Sequence, residues 1–408
     1  MQLRYRFRLY PNGPQRAALA RAFGCARVVF NDALRVREDA RAAGLPFVSP
    51  AELSKKLTGA KKIPERAWLA EVSSVILQQS LRDLDTAYRN FFDSLKGRRP
   101  KMGPPRLKSK RDTRQAIRFT ANAGWKITNG GKLRLPKVGD VTVKWSRTLP
   151  SAPFTVTVIK DSADRYFASF VVETSPEEVL PPTTPEVGID LGLGHYAVLS
   201  DGRKINSPRF LRRAKKQLKK AHRALSRKEK GSANRNKARI KLARAHARVA
   251  DARREFHHQL STTLIRENQA IAVENLAVKG LARTRLAKSV HDAGWSRFTA
   301  MLEYKATRYG RTFVRVGRFE PTSQVCSACG VKDGPKPLHV RAWACGACGT
   351  FLDRDINAAV NIAKAAGLAV TARGAQIRPG LVPAQRDEAG THPKPHPTTA
   401  RQAGIVLL

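Results

Sequence analysis

Acidic residues are scarce in this chain. Its 408 residues include 32 Asp and Glu against 76 Lys and Arg, a formal net charge of +44 and an isoelectric point near 11.1. A surface so nearly of one sign repels itself when folded and calls for an anionic partner. A phosphate backbone supplies one through counterion release. Long apolar runs are missing too. No stretch of the ~20 apolar residues that span a bilayer is present, and the N-terminus MQLRYRFRLY has no signal-peptide core. Anionic membrane is therefore the weaker rival to nucleic acid, and no membrane partner is expected. Cysteine is sparse at five. With no export signal, the four at CxxC spacing point to metal thiolates in a reducing compartment and not to disulfides. The fifth, Cys25 in the run Phe23-Gly-Cys25-Ala, reads as a buried structural residue. Apolar residues are not scarce. At 42% hydrophobic the chain can bury a core, and its length suits about two to four domains.

Residues 1–10 alternate apolar and basic, the period of a strand with one basic face. Pro11-Asn-Gly13-Pro14 ends that pattern and starts a helix. From there to about residue 95 the pattern is helical, with Leu77, Leu81, Leu84, Tyr88, Phe91, Phe92 and Leu95 at three- and four-residue steps. The Lys/Arg/Gly/Pro-rich stretch 98–118 cannot bury much apolar area. It reads as an extended arm on phosphates, with a solvated linker as the competing reading. Strand signals return over 119–174 and suggest a small antiparallel barrel or sheet that pairs with the N-terminal strand, the helices forming an insertion in it. Pro181-Pro-Thr-Thr-Pro185 marks a domain boundary, and a second domain begins at Val187.

Its strands VGIDLG and YAVLS lead to Asp201-Gly202. Residues 203–254 read as basic helix, with the stripe Leu211, Ala214, Leu218, Ala221, Leu225, then Ile240, Ala243, Ala247, Ala250, interrupted at Gly231-Ser-Ala-Asn234 into a two-helix hairpin. With so few acids to pair i,i+4, phosphate contact is favoured over a solvated face. A strand AIAVENL, a helix over about 290–309 and a Pro/Gly/Thr/His-rich tail expected to be disordered complete the chain.

Against this basic background a few carboxylates stand out. Asp190 lies in Val187-Gly-Ile-Asp190-Leu and Glu274 in Ala270-Ile-Ala-Val-Glu274, each an acid in an apolar strand. Such a charge is costly unless paired, hydrogen-bonded or metal-bound. Asp355 begins a helix with a face of small residues, Ala358, Ala359, Ile362 and Ala363. Singly, each has a plain explanation: a turn before Gly192, a strand edge, or a helix cap at Asp355 or its neighbour Asp353. Jointly they fit phosphodiester hydrolysis, in which two divalent ions about 3.5–4 Å apart activate water and stabilise the leaving oxygen. Hard cations such as Mg²⁺ take carboxylate oxygens there.

Cys326-x2-Cys329-x15-Cys345-x2-Cys348 fits two knuckles closing a tetrahedral site, and Gly330 and Gly349 suit the knuckle turns. Zn²⁺ is the expected metal, with a rubredoxin-like iron as the chemical alternative. Four protein ligands leave no open position, so the role is structural. The ribbon is expected to place Arg341 and nearby lysines beside substrate.

GIDLGLGHYAVLSDG, VENL and DRDINAAVNI resemble the three acidic motifs of RuvC-like nucleases with the RNase H fold. Together with RLYPNGPQ, LQQSLRDLDTAYRNFF, PPRLKSKRDTRQAIRFT, DAGWSRF and EPTSQVCSACG, in that order, they resemble the TnpB family of transposon-encoded RNA-guided DNA endonucleases, related to type V CRISPR effectors, over about residues 1–370. The resemblance implies an α+β multidomain protein. An antiparallel wedge β-barrel (1–10 and 119–180) would carry a helical recognition insertion with the basic arm (11–118). A RuvC-like α/β nuclease (187–320 and 350–370) would hold the four-cysteine zinc ribbon (321–349), with a disordered tail at 371–408. It also implies Mg²⁺ held by catalytic Asp190, Glu274 and Asp355, with Asp353 the runner-up for the third place, and structural zinc on Cys326, Cys329, Cys345 and Cys348. The implied partners are a guide RNA made from the transposon end and a double-stranded target DNA cut next to a short flanking motif. The expected location is the prokaryotic cytoplasm, at the nucleoid. A nuclease-inactive, guide-dependent DNA-binding repressor should lose one or more of the acids, which this chain keeps. A DNA-only transposase is the other alternative.

Overall fold

The computed structural model describes residues 2–173, 179–318, 320–337 and 339–369. The chain divides between Ser175 and Pro176 into two compact units. The tail expected over 371–408 lies outside the described residues.

The first unit opens with β1 (Gln2–Tyr10), followed by α1 (Gly13–Ala42), α2 (Pro50–Ala60), a 3₁₀ turn (Pro64–Glu71) and α3 (Ser74–Leu95). Local signals fix the helix starts. Asn12 Oδ1 accepts from Gln15 N (3.0 Å) while Gln15 Oε1 accepts from Asn12 N (3.1 Å), and Ser49 and Glu52 repeat this reciprocal cap on α2. The remaining strands are β2 (Gln115–Thr120), β3 (Lys126–Ile127), β4 (Leu133–Leu135), β5 (Gly139–Lys144), β6 (Thr155–Lys160) and β7 (Tyr166–Glu173). They form one seven-stranded sheet in the order β2-β6-β7-β1-β5-β4-β3, antiparallel throughout. The first strand of the chain thus lies inside the sheet, paired with β7 along Gln2–Leu9 and with β5 at Arg8–Tyr10. Its Phe7 and Leu9 point into the core. Arg6 and Arg8 lie outward over the Phe167 ring, at 4.6 and 5.0 Å. Cys25 is buried with α1, α3 and sheet side chains in one core, and burial pushes its thiol up.

Two expectations change here. The sheet is an open, curled half-barrel, because its outer strands β2 and β3 do not pair with each other. The basic arm is also shorter than expected, since β2 begins at Gln115. Ile117 and Phe119 alternate into the core, while Arg118 points out to Asp83 at 3.0 Å. The arm is pinned midway. Asn31 exchanges two hydrogen bonds with the Lys108 backbone (2.9 and 2.8 Å), and the Lys108 ammonium sits 3.8 Å over the Phe30 ring.

The second unit contains β8 (Glu186–Asp190), β9 (His195–Leu199), β10 (Lys204–Asn206), α4 (Phe210–Ser226), α5 (Ala233–Glu267), β11 (Ala270–Glu274), α6 (Val278–Leu281), α7 (Ala287–Ala293), α8 (Trp295–Tyr309), β12 (Thr312–Val316), β13 (Ala342–Ala344), β14 (Phe351–Asp353) and α9 (Arg354–Ala365). Its five-stranded sheet runs β10-β9-β8-β11-β12. β8, β11 and β12 are parallel to one another, and β9 is antiparallel to both its neighbours. Val187, Ile189, Ile271 and Val273 of one sheet face pack on Leu264, Ile265, Phe298 and Leu302 of α5 and α8. Gly188 and Ala272, on the other face, receive α9.

The proline linker is docked on this unit. Arg311 Nη2 donates to Pro181 O (2.8 Å) and Gln269 N to Pro185 O (2.7 Å), so the break falls ahead of it. Basic helix was expected from residue 203, but 204–206 is an edge strand. The expected two-helix hairpin forms, yet its seam on α5 is Ala238, Leu242, Ala245 and Val249 rather than the stripe through Ile240 and Ala243. Gly294, at φ +67°, splits the helix expected over 290–309, and β12 carried no sequence expectation.

Candidate active site and metal ribbon

The position of the acids follows from strand and helix periodicity. Gly188 and Asp190 are two apart on β8 and face the same side. A Cβ at Gly188 would collide with Ala359 O and Ala363 N, so the α9 backbone lies directly on this residue. Asp355 is four residues before Ala359, one turn back along the same helix face. Two residues of strand advance about 6.6 Å and four of helix about 6 Å. α9 runs against β8, so Asp355 arrives beside Asp190. The third acid follows from register. β11 pairs in parallel with β8, Val273 opposite Ile189, which puts Glu274 beside Asp190 at the carboxyl ends of adjacent strands. Ala272, two residues before Glu274, packs against Ile362 of α9, so Glu274 shares the α9 face.

The electrostatics agree. Asp190 is pushed up to about 7, first by burial, then by the Asp355 and Glu274 carboxylates, with Arg354 opposing. Burial also raises Glu274. All three acids are half-buried. Asp355 accepts a long ion pair from Arg341 of the ribbon (3.5 Å). The Asp355 and Glu274 carboxylates are close enough to Asp190 to raise its proton affinity. Among the described residues the four thiols alone form a group of metal-ligating atoms within 4.8 Å of one another. The donor set is all oxygen, as a hard divalent cation requires.

Asp353 is differently employed. Its Oδ1 accepts from Asp355 N and Ile356 N, both at 3.0 Å, which makes it the N-cap of α9. Its other oxygen pairs with Lys204 at 2.5 Å.

In the ribbon, Cys326 and Cys348 Sγ are 3.7 Å apart, as are Cys329 and Cys345 Sγ. A tetrahedron with metal–sulfur arms of about 2.3 Å has edges of about 3.8 Å, so the residues fit zinc. The knuckles share one backbone pattern. Gly330 N donates to Cys326 O (2.9 Å) and Gly349 N to Cys345 O (2.8 Å), with φ of +78° and +67° at the two glycines. Trp343 and Leu352 fill a small core beside Cys326 and Cys345.

The ribbon is held to α9 by groups that the sequence motifs did not single out. Asn357 Oδ1 accepts from Ser327 N (2.8 Å), and its Nδ2 donates to Val325 O (2.8 Å) and Thr322 O (3.4 Å). Asn361 Nδ2 donates to Val325 O (2.7 Å) and Thr322 O (2.8 Å). Lys364 Nζ donates to Ser327 O. Two asparagines at i,i+4 among alanines were the available signal, because amides are unusual on a packed helix face.

A mixed sheet with acids at its strand ends, a long basic hairpin and a four-cysteine ribbon belong together in one class, the transposon-encoded nucleases. Three family descriptions match in chain order: a helix-turn-helix domain at residues 1–45, the probable transposase OrfB_IS605 at 169–285, and a Cas12f1-like TNB domain at 295–362. The first covers β1 and the single long helix α1. A Streptomyces pristinaespiralis protein named as an RNA-guided DNA endonuclease is 44% identical over 401 residues, 97% of each chain. The Escherichia coli K12 protein InsQ, similarly named, is 31% identical over 92% of this chain and 95% of its own. The Cas12f1 chain of a guide RNA–target DNA complex shares the fold at a TM-score of 0.51 and 14% identity, covering 85% of this chain and 82% of that one. The chain belongs to the TnpB family of RNA-guided DNA endonucleases.

Proposed function

We propose that the protein is an RNA-guided, Mg²⁺-dependent endonuclease encoded by an insertion sequence. It cuts double-stranded DNA matched to a guide RNA derived from the transposon end, beside a short flanking motif. The observation that carries this reading is the convergence of Asp190, Glu274 and Asp355 on one sheet face, with Asp190 made reluctant to ionise by burial and by its two acidic neighbours. An RNase H-like, RuvC-type assignment is supported by the order β10-β9-β8-β11-β12 with a single antiparallel strand inside it.

Asp190, Glu274 and Asp355 would hold Mg²⁺, which when bound activates water and screens charge at the scissile phosphate. The chain's own part is to place three oxygen donors on a rigid strand pair and a helix start. Asp353 and Lys204 fix that start. Cys326, Cys329, Cys345 and Cys348 would hold zinc. The exposed cations of α4, among them Arg212, Lys215, Lys216, Lys219 and Lys220, suit a nucleic-acid backbone that base pairing, not the protein, reads for sequence. No described helix is long and apolar enough to cross a membrane.

Retention of all three acids argues against a nuclease-inactive repressor. Purification from a host carrying the element, followed by sequencing of co-purifying RNA, separates a guided nuclease from a DNA-only transposase. A discrete transcript running through the transposon end is expected. Protein free of RNA yet active on transposon DNA would overturn the guided reading.

A further inference from the structure

The ribbon and the carboxylate site meet in one helix. α9 carries Asp355 in its first turn and presents Asn357, Asn361 and Lys364, at i, i+4 and i+7, along one stripe. That stripe takes up the backbone leading into the first knuckle. Thr322 O, Val325 O, Ser327 N and Ser327 O are all bonded to these three side chains, and Cys326 lies inside that segment. Asn357 is fully buried and Asn361 is 8% exposed, so a broken bond here leaves a buried polar group unmet. The second knuckle reaches α9 covalently, because β14 runs straight into it, and Arg354 N donates to Arg341 O of the ribbon (2.8 Å). On its opposite side α9 rests on the bare backbone at Gly188, where no side chain can adjust its height.

We propose that Asn357, Asn361 and Lys364 are positioning residues that lock the first zinc knuckle to α9, so that metal occupancy of the four-cysteine ribbon sets the aim of Asp355 at the carboxylate site. The inference rests on the assignment of Asp190, Glu274 and Asp355 as ligands of the catalytic cation. Folding of the knuckle around its metal orders the segment 322–327. That segment in turn fixes the roll of α9 about its axis, and a helix start that rolls carries its first-turn carboxylate away from Asp190. The ribbon thus acts, through α9, on a site whose cation it does not ligate.

The test is Mn²⁺ titration of the full chain followed by electron paramagnetic resonance, with zinc content and guide-RNA affinity measured on the same samples. In Asn361→Leu and in Asn357→Ala/Asn361→Leu, the Mn²⁺ midpoint should rise about tenfold, the usual effect of losing a residue that orients a metal ligand. Zinc content in Asn361→Leu and guide-RNA affinity in both should stay at the native level. Lys364→Met, at an exposed position, should raise the midpoint in the same direction and keeps the test decisive should the double variant fail to fold. Cys348→Ser, which opens the ribbon, should reproduce the shift. Native Mn²⁺ midpoints in Asn361→Leu and Lys364→Met would overturn the coupling while leaving the nuclease reading intact. A native chain that binds no Mn²⁺, or binds it equally well as Asp190→Ala, would remove the assignment of the acids and the coupling with it.

Discussion

At the scale of single residues, burial and two acidic neighbours make the charge on Asp190 costly. Its folded-state proton affinity is raised, from an ordinary 3.8 to about 7. A carboxyl raised in this way contributes fully to stability below pH 4, and the contribution is lost as pH climbs through 7. Asp190→Asn should therefore stabilise the metal-free protein by about 2–4 kcal/mol at pH 8 and leave it nearly unchanged at pH 4, as read by thermal melting in chelator at the two pH values. Asp353 caps α9, and Asp355 is the ligand under the proposed function. Asparagine caps a helix as well as aspartate, so Asp353→Asn should keep most DNA cleavage, whereas Asp355→Asn, lacking the anionic oxygen, should abolish it. The sequence showed Asp190 and Glu274 plainly, because an acid inside an apolar run has few inexpensive explanations. The family resemblance put Asp355 ahead of Asp353, but residue pattern alone did not separate them. That decision depends on where the first turn of α9 begins, and two acids two apart satisfy either choice until the cap hydrogen bonds are seen.

At the scale of elements, the closeness of α9 to β8 is set by one missing side chain. Gly188→Ala would place a methyl against Ala359 O and Ala363 N, and backbone cannot step aside as a flexible side chain can. We expect a loss of about 2–3 kcal/mol together with weakened Mn²⁺ binding, and a variant with native melting and native cleavage would show that α9 is not seated there. Long periodic elements were legible: the α4–α5 hairpin, the strands carrying Asp190 and Glu274, and the ribbon from cysteine spacing alone. Short or weakly patterned ones were not. β10 spans Lys204–Asn206 and is an edge strand with little buried surface, so nothing in its composition marks it. The α5 seam was misplaced because alanine fills neighbouring stripes of the same helix, and only packing against Leu218 selects Leu242 and Val249.

At the scale of the whole molecule, a net charge of +44 governs nucleic-acid affinity without specifying its target. Lys215, Lys216, Lys219 and Lys220 lie exposed on α4. Replacing all four with Gln should flatten the salt dependence of guide-RNA binding by about 0.7–0.9 in log–log slope for each phosphate left without its lysine, without lowering the melting temperature. An unchanged slope would place the nucleic acid elsewhere. Composition foretold the polyanion, and the order of the motifs foretold the family. The openness of the curled sheet was not foretold, because closure depends on whether β2 and β3 meet and not on the pattern within either strand.

The most direct measurement is cleavage of a guide-matched DNA duplex by guide-loaded protein in Mg²⁺, with native chain beside Asp190→Ala, Glu274→Ala and Asp355→Ala. The native protein should cut, and each variant should bind guide and target normally and leave the duplex whole. A native protein that binds the matched duplex without cutting it, or variants that cut at the native rate, would contradict the assignment of these carboxylates as the centre of a nuclease.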